Sequence, residues 1–142
     1  MKATELQLGD WVTVNRTDKD THKVKSETGR VVELDPYYNR VGVAFEDRDF
    51  HRHFGTGHTP NTIEPIPLTA EIFINNGFDK NPDNTFSMFH ERETDIADGF
   101  SVVLHPCDDG WRVFGFHFFV VRYVHELQQL LRLLKILKDI KL

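Results

Sequence analysis

The sequence predicts an α+β chain in two parts: a small β-barrel over residues 1–68, then an αβββα unit over residues 69–142 that ends in one long helix. Three observations lead there. Apolar and polar residues alternate in short runs between Leu8 and Phe45; Gly, Pro and Asn punctuate those runs; and Tyr123–Leu142 repeats leucine at helical spacing.

The composition is that of an ordinary folded protein, with 39% hydrophobic and 27% charged residues in 142. A formal charge of −5 excludes a molecule-wide basic field of the kind that holds phosphate backbones without regard to sequence. Cys107 is the single cysteine, so no internal disulfide forms, which suits a reducing compartment. Met1–Glu5 is polar and lacks the apolar core of a secretory signal, and no run reaches the roughly 18–20 apolar residues of a membrane span. A cytoplasmic location without membrane contact is the expectation.

In the first part, Leu8, Asp10, Val12 and Val14 alternate with Gly9, Trp11 and Thr13, the period of a strand. Asn15–Glu27 is dense in charge and hydroxyls and reads as a long solvated loop or the tip of a bent hairpin. Gly29 stands where a positive φ or a bulge is expected. Val31, Val41 and Val43 are expected to share a core with Val12 and Val14. Asp35-Pro36-Tyr37-Tyr38-Asn39 is a turn by composition. Glu46–Pro60 is a polar excursion, and Asn61–Leu68, with Pro65 and Pro67, is an extended edge segment that closes the barrel.

In the second part, Thr69 caps a short helix through Asn76, with Glu71 in its first turn and Gly77 just past its end. Strands follow at Thr85–Glu91, Phe100–His105 and Trp111–Val121, the last with a candidate break at Gly115, and Asp109-Gly110 is a two-residue hairpin signal. Phe114, Phe116, Phe118 and Phe119, with Trp111, read as core rather than as a base-stacking platform. From Tyr123 to Leu142 the apolar stripe (Tyr123, Leu127, Leu130, Leu134, Leu137) is widened by Val124, Leu131, Leu133, Ile136 and Ile140 beyond a usual amphipathic face.

Gly9, Asp10, Val12, Val14, Gly29, Val31, Asp35, Asn39, Val41 and Val43 together resemble the KOW-type, SH3-like small barrel of ribosomal and transcription-elongation proteins, over about a quarter of the chain. That resemblance implies RNA binding, although the acids mixed into Asn15–Glu27 depart from the family's Lys- and Gly-rich connection. Three further blocks, Leu6–Val12, Ile63–Ile72 with Asn76-Gly77-Phe78, and Tyr123–Gln128, resemble a group of small uncharacterised proteins encoded in Bacteroidetes genomes, often in phage-like or mobile regions. The group implies no activity. Its usual helix after Gln128 is shorter and stops at a Gly, whereas Leu130–Leu142 here stays apolar.

For chemistry, His51, His53 and His58 beside Asp47 and Asp49 are the candidate metal ligands, because two imidazoles two apart on a strand plus a third donor can hold zinc. Solvated loop residues are the plainer reading. His105-Pro106-Cys107-Asp108-Asp109 puts a thiol, an imidazole and carboxylates in five residues, but neighbours in a turn seldom converge on one point. His117 and His125 flank the last strand-to-helix junction as structural residues. No phosphate loop, catalytic triad order or zinc-finger spacing is present.

The expectation is thus a non-enzymatic interaction or accessory protein without a cofactor. It is expected to form a homodimer through Leu130, Leu133, Leu134, Ile136, Leu137 and Ile140, and to present a binding surface of Trp11, Tyr37, Tyr38 and Phe50. The alternatives are a nucleic-acid-binding module using the barrel, and a metal-dependent hydrolase using the histidine loop.

Overall fold

The computed structural model describes residues 3–18, 20–46, 51–55, 61–90, 99–114, 119–136 and 138–142; of the residues at 51–53, 55, 61 and 100 it describes the backbone alone. The chain divides into two compact units, Met1–Ile66 and Pro67–Leu142. The boundary falls two residues before the expected one. Pro67 bridges Tyr123, and the Leu68 amide donates to the Arg122 carbonyl at 2.9 Å, so both residues belong to the second unit.

The first unit is one antiparallel sheet of five strands: β1 (Trp11–Thr17), β2 (Val24–Asp35), β3 (Arg40–Ala44), β4 (His51–Gly55) and β5 (Asn61–Glu64), in the order β4-β3-β2-β1-β5. Consecutive strands form hairpins, and β5 returns to pair with β1. The alternation does what period two requires: Val12, Val14, Val31, Val41 and Val43 point to one side and bury against Ala3, Leu6, Phe45, Phe54 and Ile63. The sheet is not a closed barrel. β5 is four residues long and stopped by Pro65, and no described pairing joins it to β4.

Gly29 corrects the expectation made for it. Its φ is not positive, and the bulge lies at Val32, between the Val31 and Glu33 pairings. What Gly29 supplies is room: a Cβ there would stand 2.5 Å from Val43 Cγ1 and 2.6 Å from the Ala44 carbonyl oxygen. The bulge at Val32 puts that valine outside and returns Leu34 to the core side. The charged stretch after Asn15 is a hairpin tip. Strands β1 and β2 run through to Thr17 and Val24, and the Asp18 carboxylate accepts from the amides of Asp20 (3.0 Å) and Thr21 (2.7 Å).

The second unit holds α1 (Ala70–Asn75), β6 (Asp79–Lys80), β7 (Phe86–His90), β8 (Phe100–Cys107), β9 (Gly110–Val113), β10 (Val120–Val121) and α2 (Val124–Leu133), with five strands in sequential antiparallel order where αβββα expects three: Asp79–Lys80 adds to the edge at β7, and the expected strand Trp111–Val121 is two strands paired back on each other. Thr69 caps α1, its hydroxyl accepting from the Ile72 amide at 3.3 Å. Inward residues of the sheet (Phe86, Met88, Val102, Leu104, Val113, Val121) are buried, as are Phe73 of α1 and Leu127, Leu130 and Leu131 of α2. Phe73 lies 4.9 Å from Phe86 and 4.8 Å from Trp111 between ring centroids. The β8–β9 turn is Asp108-Asp109 rather than Asp109-Gly110, since Cys107 pairs with Gly110. Gly110 opens β9 at a φ of +146°, with no room for a Cβ against the Val121 carbonyl.

The long helix is the main departure. α2 ends at Leu133, and the chain turns back through Lys135 at a φ of +59°. The Ile136 amide donates to the Leu131 carbonyl at 2.8 Å and the Lys135 amide to the Arg132 carbonyl at 2.9 Å, the paired bonds of a Schellman motif. α1 ends the same way at Gly77, with Phe78 donating to Phe73 and Gly77 to Ile74, both at 3.0 Å. The segment after Lys135 folds onto its own unit, so that Ile136 and Ile140 are buried. Among the described residues no helix is long and apolar enough to cross a membrane.

Candidate interaction surface

The β2–β3 connection is a four-residue turn between the paired Asp35 and Arg40. Its sequence fixes its shape. The Asp35 carboxylate accepts from the Tyr38 amide at 3.1 Å, and Asn39 takes a φ of +50°, a conformation asparagine tolerates. Asn39 Oδ1 also accepts from the Ala3 amide at 3.2 Å, which ties the start of the chain to this turn. The result is a tip on which two aromatic rings stand in water: Tyr37 is 87% exposed and Tyr38 64%. The rings meet edge to face at 4.8 Å, and the Arg40 guanidinium lies 5.5 Å from the Tyr38 centroid.

The other aromatic residues expected at this surface do not join it. Trp11 is only 5% exposed, with the Arg30 guanidinium 4.3 Å over its ring, because the register sets Trp11 opposite Arg30. Phe50 lies outside the described residues.

The self-association set is likewise dispersed. Leu130, Ile136 and Ile140 are buried within the second unit, Leu134 is half-buried, Leu137 lies outside the described residues, and Leu133 alone of the described five is exposed. The apolar stripe expected to pair two copies is consumed by the chain's own fold-back after α2.

His51 and His53 occupy alternate positions of β4, opposite Ala44 and Gly42, but only their backbone is described; His58 and His117 lie outside the described residues. Among the described residues no three His, Cys, Asp or Glu side chains gather as a metal site. Cys107 and Asp109 do meet, the thiol donating to the carboxylate at 3.5 Å, and Arg122 pairs with that same carboxylate. The Arg122 guanidinium first, and then the thiol, hold the Asp109 carboxyl below its ordinary range. His105 is turned elsewhere, 5.9 Å from the Phe114 ring, so the turn is a salt-bridged corner and not a nucleophile with its base. His125 is buried and stacks on Tyr123 at 5.8 Å, a junction residue as expected. Glu126 accepts from the Tyr123 amide at 3.2 Å and starts α2.

One exposed set corrects the sequence expectation, which places Phe114 and Phe119 in the core although both are exposed. Phe89 and Phe114, together with Val103 and His105, lie on the outward face of the second sheet, and Phe89 (62%) and Phe114 (71%) are mostly in solvent. The signal was parity: Phe89 falls out of step with the buried Phe86 and Met88, and Phe114 with the buried Val113. Phe116 and Phe118 lie outside the described residues. No protein-family model, curated protein or solved structure matches the chain.

Proposed function

We propose that the chain is a non-enzymatic interaction module whose first unit is an opened SH3-like barrel, and that its contact surface is the tip Tyr37-Tyr38-Arg40. The observation that carries this is the pair of tyrosines held upright in water on a turn fixed by Asp35 and Asn39. A core has no use for such rings, while an amphipathic tyrosine loses little conformational entropy on making contact. The meander order with β5 returning to β1 supports the barrel reading. Two rings at 86° to each other, flanked by a guanidinium, fit an extended proline-rich protein segment. The nucleic-acid alternative is disfavoured by charge, since residues 1–66 hold nine Lys and Arg against eleven Asp and Glu.

Amide chemical shifts of Asp35, Tyr37, Tyr38, Asn39 and Arg40 are the test, followed while a proline-rich peptide and then a single-stranded oligonucleotide are titrated in. The proposal expects shifts at this turn with the peptide, abolished in Tyr37→Ser/Tyr38→Ser. A response to the oligonucleotide alone supports the nucleic-acid reading, and silence with both rejects the tip as a binding site.

A further inference from the structure

One buried side chain, Asn76, clasps the segment around Lys141. Asn76 follows α1, is 2% exposed, and uses its whole amide: Nδ2 donates to the Ile72 and Lys141 carbonyls at 2.7 Å each, and Oδ1 accepts from the Lys141 amide at 2.8 Å. The contact with Lys141 is a two-way clasp of the kind a neighbouring strand makes. Ile140, next to Lys141, is fully buried, and the Lys138 ammonium lies 3.0 Å from the point a Gly77 Cβ would occupy. The segment from Lys138 onward therefore lies against Asn76, which is buried, and is tied to it, while Gly77 stays exposed.

Asn followed by Gly is the dipeptide in which an asparagine most readily attacks itself, because glycine leaves the following nitrogen unhindered. The Gly77 nitrogen adds to Asn76 Cγ, the Cγ–Nδ2 bond breaks, and ammonia leaves with the proton from the Gly77 amide. Solvent water then opens the resulting cyclic imide to aspartate or isoaspartate. The folded protein blocks the first step in three ways. The Gly77 N–H is engaged by the Ile74 carbonyl at 3.0 Å, Asn76 is held at a ψ of 18° and must rotate away from it for the ring to close, and the leaving Nδ2 is bound to two carbonyls.

We infer that Asn76-Gly77 is a self-modification site that acts as a one-way latch on the C-terminal segment. While the segment is docked the asparagine is protected. Once the segment opens, cyclisation removes the group that would hold it again. The product carboxylate has no N–H for the Ile72 and Lys141 carbonyls and would face them with lone pairs in a buried place. Isoaspartate also adds a methylene to the backbone inside the turn that ends α1.

Peptide mapping by mass spectrometry tests this on the full-length chain, incubated in mildly alkaline buffer as wild type, as Ile140→Asp and as Lys141→Pro. A urea-denatured wild-type sample sets the unprotected rate. The inference expects slow conversion at Asn76 in the wild type and severalfold faster conversion in Ile140→Asp, still below the denatured rate because the end of α1 keeps the Gly77 N–H on Ile74. In Lys141→Pro, which loses one donor at an exposed position, conversion should be about fivefold faster than wild type. If Ile140→Asp unfolds altogether, Lys141→Pro still decides. In converted protein, hydrogen exchange at the Lys141 amide should have lost its protection. Equal rates in wild type and Lys141→Pro, or a Lys141 amide that stays protected after conversion, would overturn the latch.

Discussion

Arg16 and Glu27, diagonal neighbours on the inward side of β1 and β2, form an ion pair at 3.1 Å with 19% and 14% of their side chains exposed. The Arg16 guanidinium also lies 5.0 Å from the Phe45 ring centroid and 5.4 Å from that of Phe54. A charge in this place is tolerated because it is paired and lies over aromatic faces. Removing the carboxylate takes away a counter-charge that Arg16 shares with Lys25, whose ammonium lies 2.8 Å from the other Glu27 oxygen. Glu27→Gln is expected to cost about 2 kcal/mol, less than the loss of a fully buried pair because both groups keep some water. Arg16→Met with Glu27→Leu should recover most of it. Urea unfolding followed by 19F resonances of 5-fluorotryptophan is a suitable measurement, since Trp11 reports on the first unit and Trp111 on the second.

Val41 has no solvent exposure and stands opposite Leu34 in the middle of the first core. An aspartate there buries a carboxylate with no partner, at a cost of several kcal/mol, comparable with the stability of a whole domain. Val41→Asp should move the Trp11 resonance to its unfolded position. An unchanged thermal transition for that resonance would reject the assignment of Val41 to the core.

Lys135 ends α2 in the left-handed region, where a side chain is strained and glycine is not. Lys135→Gly should therefore stabilise the second unit, by up to about 1 kcal/mol after the glycine's greater freedom in the unfolded chain is offset. If the chain were instead helical through residue 135, the same substitution would destabilise by about 1 kcal/mol, so the sign of the change in melting temperature distinguishes the two.

Three exposed aspartates are held below the ordinary carboxylate range. The cause is the Thr21 amide and hydroxyl and the Asp20 amide at Asp18, the Thr85 hydroxyl and amide at Asp83, and Arg122 and then Cys107 at Asp109. A carboxyl depressed in the folded state contributes stability that is fully present above its unfolded pKa of about 4 and is lost as pH falls through the folded value. Acid titration of stability should therefore steepen below about pH 4, and Asp18→Asn/Asp83→Asn/Asp109→Asn should flatten that slope without changing the neutral-pH slope. An identical acid slope in the triple variant would count against these bonds persisting in solution.

Much of the architecture was legible because its signals are local. Val12 and Val14 announce a strand by alternation, Asp35–Asn39 a turn by composition, and Thr69 with Gly77 the two ends of α1. What could not be read turned on tertiary context. Nothing in Leu130–Leu142 resembles a stop, since the left-handed position that ends α2 is filled by lysine; the fold-back is stabilised by burying Ile136 and Ile140 and by a hydrogen-bond partner, Asn76, 65 positions away from Lys141. Arg16 and Glu27 looked like solvated charge in a polar stretch, and the register alone turned them inward. Of the candidate surface, the exposure of Tyr37 and Tyr38 followed from their place in a turn, whereas the covering of Trp11 required knowing that Arg30 stands across from it.

The return of β5 to β1 also orders events in time. Every other pairing in the first sheet joins neighbours along the chain and can zip up as a succession of hairpins, but Val14 must wait for Ile63. Closing a loop of that length costs entropy before any contact repays it, and its length raises the cost only logarithmically. On a ribosome, β1, β2 and β3 can associate early while one edge of β1 stays open and able to hydrogen-bond to another chain. That edge is covered only when Asn61–Glu64 has emerged, so the final pairing of this sheet is also its protection against aggregation during synthesis.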